Sequence, residues 1–269
     1  MKAFRALITG ASSGLGKDFA LQLAQTGTNL VLAARRTEHL DQLAEEIIKK
    51  YQVVVEVVTI DLTQENAAQI LFEAATRDGK TVDMLINNAG AGPFRSFLDA
   101  KTEDHERILR LNALSLTSLC HLFGNHMISH GQKSWILNVA SVASYQPVTR
   151  FSVYCATKSY VRFLSEIIHT ELKGTNVSVS CLCPGGTATE FLAANNQSAS
   201  KFGQWSLMRS DAVVKLAIRK TFSGKRVIIP GVVNKIACTL AKLLPNNLNL
   251  WMSHHVMSLG VSEADKVKS

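Results

Sequence analysis

Short, largely apolar runs recur along the chain at 4–9, 29–33, 53–60, 82–86, 134–140, 176–183 and 226–230. Runs this short and this uniformly apolar are what strands covered on both faces require. Between them lie stretches with helical spacing. After the first run, Leu15, Phe19 and Leu23 recur every four residues with Ala20 and Ala24 beside them, and Gly27 closes the segment. The alternation predicts an α/β chain, a central parallel sheet flanked by helices on both faces. No proline/glycine-rich linker, low-complexity run or internal repeat interrupts it, so residues 1–269 read as a single domain with one large core.

The first strand runs straight into Thr9-Gly-Ala-Ser-Ser-Gly-Leu-Gly16. Gly10, Gly14 and Gly16 permit a tight turn, close approach of a ligand to the backbone, and close packing of the helix that follows. That helix would aim its unpaired N–H groups and positive dipole end at a phosphate. The spacing is G-x3-G-x-G, and an ordinary strand–helix connection could carry it alone; strand, turn and helix together favour nucleotide binding. Further along, Tyr154 and Lys158 are four residues apart, with Ser141 thirteen residues upstream of the tyrosine. On a helix the pair shares a face, where an ammonium would favour the phenolate and lower the tyrosine pKa. By itself such a pair could equally be a solvated helix surface.

Five separated motifs now agree in identity and order: Thr9–Gly16, Asp61-Leu62, Asn87-Asn-Ala-Gly90, Ser141 with Tyr154 and Lys158, and Pro184-Gly-Gly-Thr-Ala-Thr189. On these residues the chain resembles the short-chain dehydrogenase/reductase family over roughly residues 4 to 230. The resemblance implies a doubly wound Rossmann fold and a nicotinamide dinucleotide cofactor. It implies that a hydride passes between cofactor and carbonyl carbon, the pro-S hydride by the family's usual face selection, while Tyr154 exchanges a proton with the oxygen. Ser141 would orient that oxygen, making Ser141 and Tyr154 the substrate contacts. Lys158 would bind the nicotinamide ribose and tune the tyrosine. Asn112 matches a fourth catalytic position, linked to the lysine through water. An asparagine within a helix could instead be a structural contact.

The cofactor residues carried by the resemblance are Gly10, Ser12, Ser13, Gly14, Leu15 and Gly16 in the turn, Asp61 and Leu62 at the adenine, Asn88, Ala89 and Gly90 at the ribose, and Pro184, Gly185, Thr187 and Thr189 with Tyr154 and Lys158 at the nicotinamide end. Asp61 could also serve as a helix cap before Gln64. The choice between phosphorylated and plain dinucleotide is read from the second strand. It ends at Ala34-Arg35-Arg36, with no acid where a carboxylate would accept hydrogen bonds from the ribose 2′-hydroxyl. A guanidinium binds a 2′-phosphate instead, so NADP(H) is expected, with Arg35 the first contact and Arg36 the second. One arginine could alternatively cap the helix beginning near Thr37.

Composition narrows the remaining classes. The net charge is +8, yet the lysines and arginines are dispersed, and nucleic-acid binding is not expected. The chain enters its first strand at once, and no apolar run reaches the ~18 residues of a membrane span, so a cytoplasmic protein is expected. Five cysteines without metal-ligand spacing read as buried, reduced thiols, Cys181 and Cys183 on one strand face, and no metal is expected.

Residues 190–210 fall where family members carry a lid. Phe191, Leu192, Phe202, Trp205, Leu207 and Met208 would make an apolar pocket there, joined by Tyr145, Gln146 and Phe94, suiting a hydrophobic ketone, aldehyde or acyl substrate. Helical spacing at 232–258 predicts C-terminal helices packed on the core, the pocket or a second subunit in preference to a membrane surface. A homodimer or homotetramer is expected through the helices near 103–130 and 152–173, with Leu114, Leu116, Leu119, Leu122 and Phe123 supplying apolar surface, though a buried helix would show the same pattern. An NADP(H)-binding sensor or scaffold without turnover is the alternative to an enzyme.

Overall fold

The computed structural model describes residues 4–186 and 208–258. Seven parallel strands form one sheet in the order β3-β2-β1-β4-β5-β6-β7. They are β1 (Arg5–Thr9), β2 (Asn29–Ala34), β3 (Val55–Thr59), β4 (Met84–Asn87), β5 (Ser134–Val139), β6 (Val177–Leu182) and β7 (Val227–Ile228). Each apolar run of the sequence coincides with one of them to within a few residues. Order reverses between β1 and β4, and in open sheets of this kind the crevice at the carboxyl ends of the strands there is the binding place.

Helices α1 (Gly14–Ala24), α2 (Thr37–Tyr51) and α7 (Ser210–Phe222) cover one face, packing Phe19, Leu23, Leu40, Ile47, Val213 and Val214 on the inward side chains of β1 and β2. Helices α3 (Ala67–Thr76), α5 (Ser115–His130) and α6 (Ser152–Glu171) cover the other, with Leu71, Leu119, Phe123 and Val161 in the core. Leu7 and Ile8 of β1 fall into opposite layers, the period of two that a doubly covered strand produces. Beyond β7 follow α8 (Val232–Leu243) and α9 (Asn246–Ser258).

The long helix expected near 103–130 is divided. Helix α4 (Thr102–Leu109) passes through a π turn at Arg110–Leu114 before α5 begins. Asn112 sits in that turn, its side chain tied across to the loop after β4. Leu116, Leu119 and Phe123 are buried against the sheet; Leu114 is exposed, as are Leu109, Tyr160, Phe163 and Ile167. Spacing locates the apolar stripe of α5 and leaves open whether it meets the sheet or a partner; Leu116, Leu119 and Phe123 meet the sheet. All five cysteines are unpaired and buried, and the Cys181 and Cys183 sulfurs are 3.8 Å apart on β6. Among the described residues no helix is long and apolar enough to cross a membrane, and no cluster of His, Cys, Asp or Glu is arranged for a metal ion.

Candidate active site

A cleft of about 710 Å³ opens at the carboxyl ends of the strands, running from the glycine turn past the tip of β5 to the loop after β6. At one end Gly10 and Gly14 take left-handed backbone angles (φ +64° and +53°), which a β-carbon would strain. A β-carbon on Gly16 would run into the Gly10 carbonyl, so α1 approaches the turn closely only because that position is bare. Ser13 stands at the N-cap of α1 without a side-chain cap bond, and Ser12, Ser13 and Leu15 line the cleft. The Thr9 hydroxyl accepts from the backbone N–H groups of Asn88 and Ala89, both at 3.0 Å. Asn88 Nδ2 donates back to the carbonyls of Thr9 and Gly10. Its side chain therefore braces the turn, leaving Ala89 and Gly90 as the small surface facing the cleft.

At the end of β2, Ala34, Arg35 and Arg36 line the cleft, and none of these three is acidic. Arg36 occupies the N-cap position of α2 but makes no side-chain cap bond; its Nη2 donates to Ser12 Oγ at 3.2 Å instead. Arg35 is exposed at the rim. Asp61 and Leu62 line the same lobe; Asp61 Oδ1 accepts from the Thr63 amide and hydroxyl in a turn rather than a helix cap. Burial pushes the Asp61 carboxyl up, but those two hydrogen bonds, with Arg35 and Arg107 nearby, outweigh it and hold the pKa below the usual value.

Ser141, Tyr154 and Lys158 come together where β5 ends. Ser141 caps the turn Val142–Ser144, its Oγ accepting from Ala143 N–H at 3.1 Å, and it hydrogen-bonds Tyr154. Lys158, 4% exposed, donates from Nζ to the Val139 carbonyl at 2.8 Å, and that nitrogen is 5.7 Å from the Tyr154 ring centroid. The sequence reading expected lysine to lower the tyrosine pKa. Burial dominates instead: it pushes the phenol up to about 12, offset only in part by the Ser141 hydrogen bond. Burial likewise pulls Lys158 down to about 8, because a cation loses its hydration there. A drop from 10.5 to about 8 means that the protonated lysine costs the folded state about 3 kcal/mol below pH 8. Lys158→Met loses the bond to Val139, worth ~1 kcal/mol, and is expected to melt no lower than the parent at pH 7. The advantage should shrink as pH rises from 8 toward 10.5, where the folded parent has shed the proton that its unfolded chain still holds. Thermal melts across that range check it.

Asn112, fully buried, donates from Nδ2 to the Ala91 carbonyl (2.8 Å) and Thr157 Oγ1 (3.0 Å) and accepts from Ala91 N–H at 3.0 Å. Its side chain clamps both backbone groups of Ala91, behind Gly90, and does not line the cleft. The sequence reading missed Gly92: a β-carbon there would overlap the Tyr154 ring. The signal was available as the second glycine of Asn-Ala-Gly-Ala-Gly92. Also missed were Val148 and Phe151, which line the cleft beside Tyr154, with Phe151 4.5 Å from the tyrosine ring. Gln146 lines it as expected. Tyr145 does not; its ring lies under Arg162 (4.5 Å) and Lys242 (5.0 Å). Phe94 stands behind Phe151 against Arg150. Pro184 and Gly185 line the far end. Thr187, Thr189 and residues 190–207 of the expected lid lie outside the described residues; Met208 is partly buried against the core at α7.

The residues present fit a dinucleotide: a backbone cradle at the glycine turn, small residues along the middle, and cations at the β2 rim. Residues 5–200 match the model of the short chain dehydrogenase family. The chain belongs to that family. Among curated relatives it is 33% identical over 190 residues to the very-long-chain 3-oxoacyl-CoA reductase of Bos taurus, covering 69% of this chain and 60% of that protein. It is 30% identical to the probable oxidoreductase EphD of Mycobacterium tuberculosis, over 69% of this chain and 31% of the longer relative. The chain thus spans less than two thirds of either relative. A solved short-chain dehydrogenase from Sphingobium yanoikuyae, in complex with NADPH, superposes with a TM-score of 0.80 at 29% identity, covering 97% of both chains. Family membership supports an oxidoreductase with a nicotinamide cofactor.

Proposed function

We propose that this chain is an NADP(H)-dependent oxidoreductase interconverting a carbonyl and an alcohol on a hydrophobic ketone, aldehyde or acyl substrate. The observation that carries the reading is one cleft with Ser141, Tyr154 and Lys158 at one end and acid-free Ala34-Arg35-Arg36 at the other. When bound, the dinucleotide supplies the hydride. Gly10 and the first turn of α1 hold its phosphates; Arg35, then Arg36 and Ser12, meet a 2′-phosphate; Asp61 and Leu62 take the adenine. Lys158 holds the nicotinamide ribose, and Pro184, Gly185, Thr187 and Thr189 bound the nicotinamide.

The phenol of Tyr154 keeps its proton at neutral pH, so in the reductive direction it is ready to hand that proton to the substrate oxygen. Ser141 orients the same oxygen and stabilises the negative charge that develops there. Asn112 acts by fixing Ala91, and through it the loop holding Gly90 against Lys158. Phe151 and Val148 give the substrate end an apolar wall. Exposed Phe163 and Ile167 of α6, with Leu114, support self-association as a homodimer or homotetramer.

Arg35→Glu is expected to weaken NADPH binding by roughly 10- to 100-fold, the value of a charge-assisted hydrogen bond, and to leave NADH binding within a few-fold. Titration of both cofactors by fluorescence measures it. The reaction is tested with NADPH deuterated at the pro-S position: deuterium should appear on the product carbinol carbon. Product lacking the label would reject the assigned hydride face, and no product with any carbonyl would reject the enzyme reading.

A further inference from the structure

Helix α8 inverts the usual arrangement of an amphipathic helix. Its buried side is Asn234, Cys238 and Ala241, while Val232, Val233, Ile236, Leu240 and Leu243 form one outward stripe. Ile236 is 56%, Leu240 52% and Leu243 77% exposed. Lys235 and Lys242 lie along one edge, about two turns apart. Helix α9 extends the patch with exposed Leu250, Trp251 and Met252. Its position is fixed by Asn249, buried, whose Nδ2 donates to the carbonyls of Ala241 (2.8 Å) and Leu244 (3.3 Å) across the Pro245 corner. Scattered single apolar residues on a surface need no explanation, but a contiguous stripe does.

Charge says what fits it. From 212 to 262 the chain carries seven lysines and arginines and no aspartate or glutamate. An aliphatic stripe edged by lysines, without acids and with a tryptophan beside it, is the chemistry of a helix lying in the headgroup region of an anionic bilayer, its lysine stems reaching past the apolar face to lipid phosphates. A second copy would bring the same unbalanced cations, and the exposed rings of α6 already offer a separate surface for self-association.

We propose that α8 and α9 form a docking surface for an anionic lipid bilayer. This departs from the packing expected from the sequence, because small and polar residues, not the aliphatic ones, face the core. The surface adjoins the cleft. Asn234 on the inner side of α8 meets Gly185, where a β-carbon would come within 2.6 Å of Nδ2, and Lys242 lies over Tyr145 beside Ser144. Docking would therefore bring the substrate end of the cleft to the membrane, where apolar carbonyl compounds concentrate.

Flotation of the full chain with vesicles of phosphatidylcholine alone, and of phosphatidylcholine mixed equally with phosphatidylglycerol, tests the proposal. The parent is expected to float with the mixed vesicles, weaken with added salt, and bind plain phosphatidylcholine at least ~5-fold less well. Ile236→Glu should lower binding by about 10-fold or more. Lys235→Glu should lower it about 5-fold without touching the stripe, and both exposed substitutions should leave the melting temperature unchanged. Absence of flotation with the mixed vesicles, or equal flotation of Ile236→Glu, overturns it. A mass that falls to monomer in Ile236→Glu, with no vesicle binding by the parent, would assign the face to a second copy. Vesicle binding needs neither cofactor nor turnover, so its failure leaves the oxidoreductase reading standing.

Discussion

Tyr154→Phe is expected to lower carbonyl reduction by roughly 10³-fold while leaving NADPH binding and the melting temperature close to those of the parent. The substitution removes one oxygen from a ring that stays held by Phe151 and the bare Gly92, so little packing changes. What disappears is the proton donor hydrogen-bonded to Ser141. Because burial pushes the phenol up to about 12, the parent should reduce its substrate steadily across neutral pH. Alcohol oxidation, which needs the phenolate as base, should rise with pH instead. Reduction should decline as pH passes about 8, where Lys158 loses the charge that holds the ribose end of the cofactor. Initial rates of the parent in the reductive and oxidative directions from pH 6 to 9 would reveal both trends.

Gly92→Ala should be nearly as damaging without removing any functional group. The new β-carbon would overlap the Tyr154 ring, so either the ring or the loop beneath it must move. The neighbouring loop resists: Ala91 is clamped at both N–H and carbonyl by Asn112. Displacing the ring is therefore the easier response, and an ångström of misplacement at a reacting group costs about 10²-fold. The loss should fall on kcat/KM for the carbonyl substrate, with NADPH affinity changed by less than a few-fold. A variant that kept full kcat/KM would show that the tyrosine need not stand where the structure places it.

Much of this architecture was legible because its causes are local. Parallel strands covered on both faces must be short apolar runs, and a strand overlaps each of the seven runs. The glycine turn is legible because left-handed backbone at Gly10 and Gly14, and contact of Gly16 with the Gly10 carbonyl, demand bare positions. Arg35 is legible as an absence of acid at a strand end. What the sequence hid depends on partners far along the chain. Helical spacing continues unbroken through Leu109–Leu116, so the π turn at Asn112 has no local sign; it exists where Asn112 reaches Ala91. Tyr145 points away from the cleft because Arg162 and Lys242 flank its ring. In α8 the spacing identifies an apolar stripe and says nothing of which side meets the core. The lysine–tyrosine pair was read as a charge effect, whereas enclosure of both groups outweighs it.

Whether the cleft carries out NADPH-dependent carbonyl reduction is decided by initial rates of NADPH and NADH oxidation over a panel of aldehydes, aliphatic and cyclic ketones and β-ketoacyl thioesters. NADPH should be consumed in a substrate-dependent way, and kcat/KM for NADH should be at least ~10-fold lower than for NADPH, because the arginine then has no 2′-phosphate to bind. NADPH that binds yet is never consumed, or NADH used as well as NADPH, would contradict that reading of the cleft.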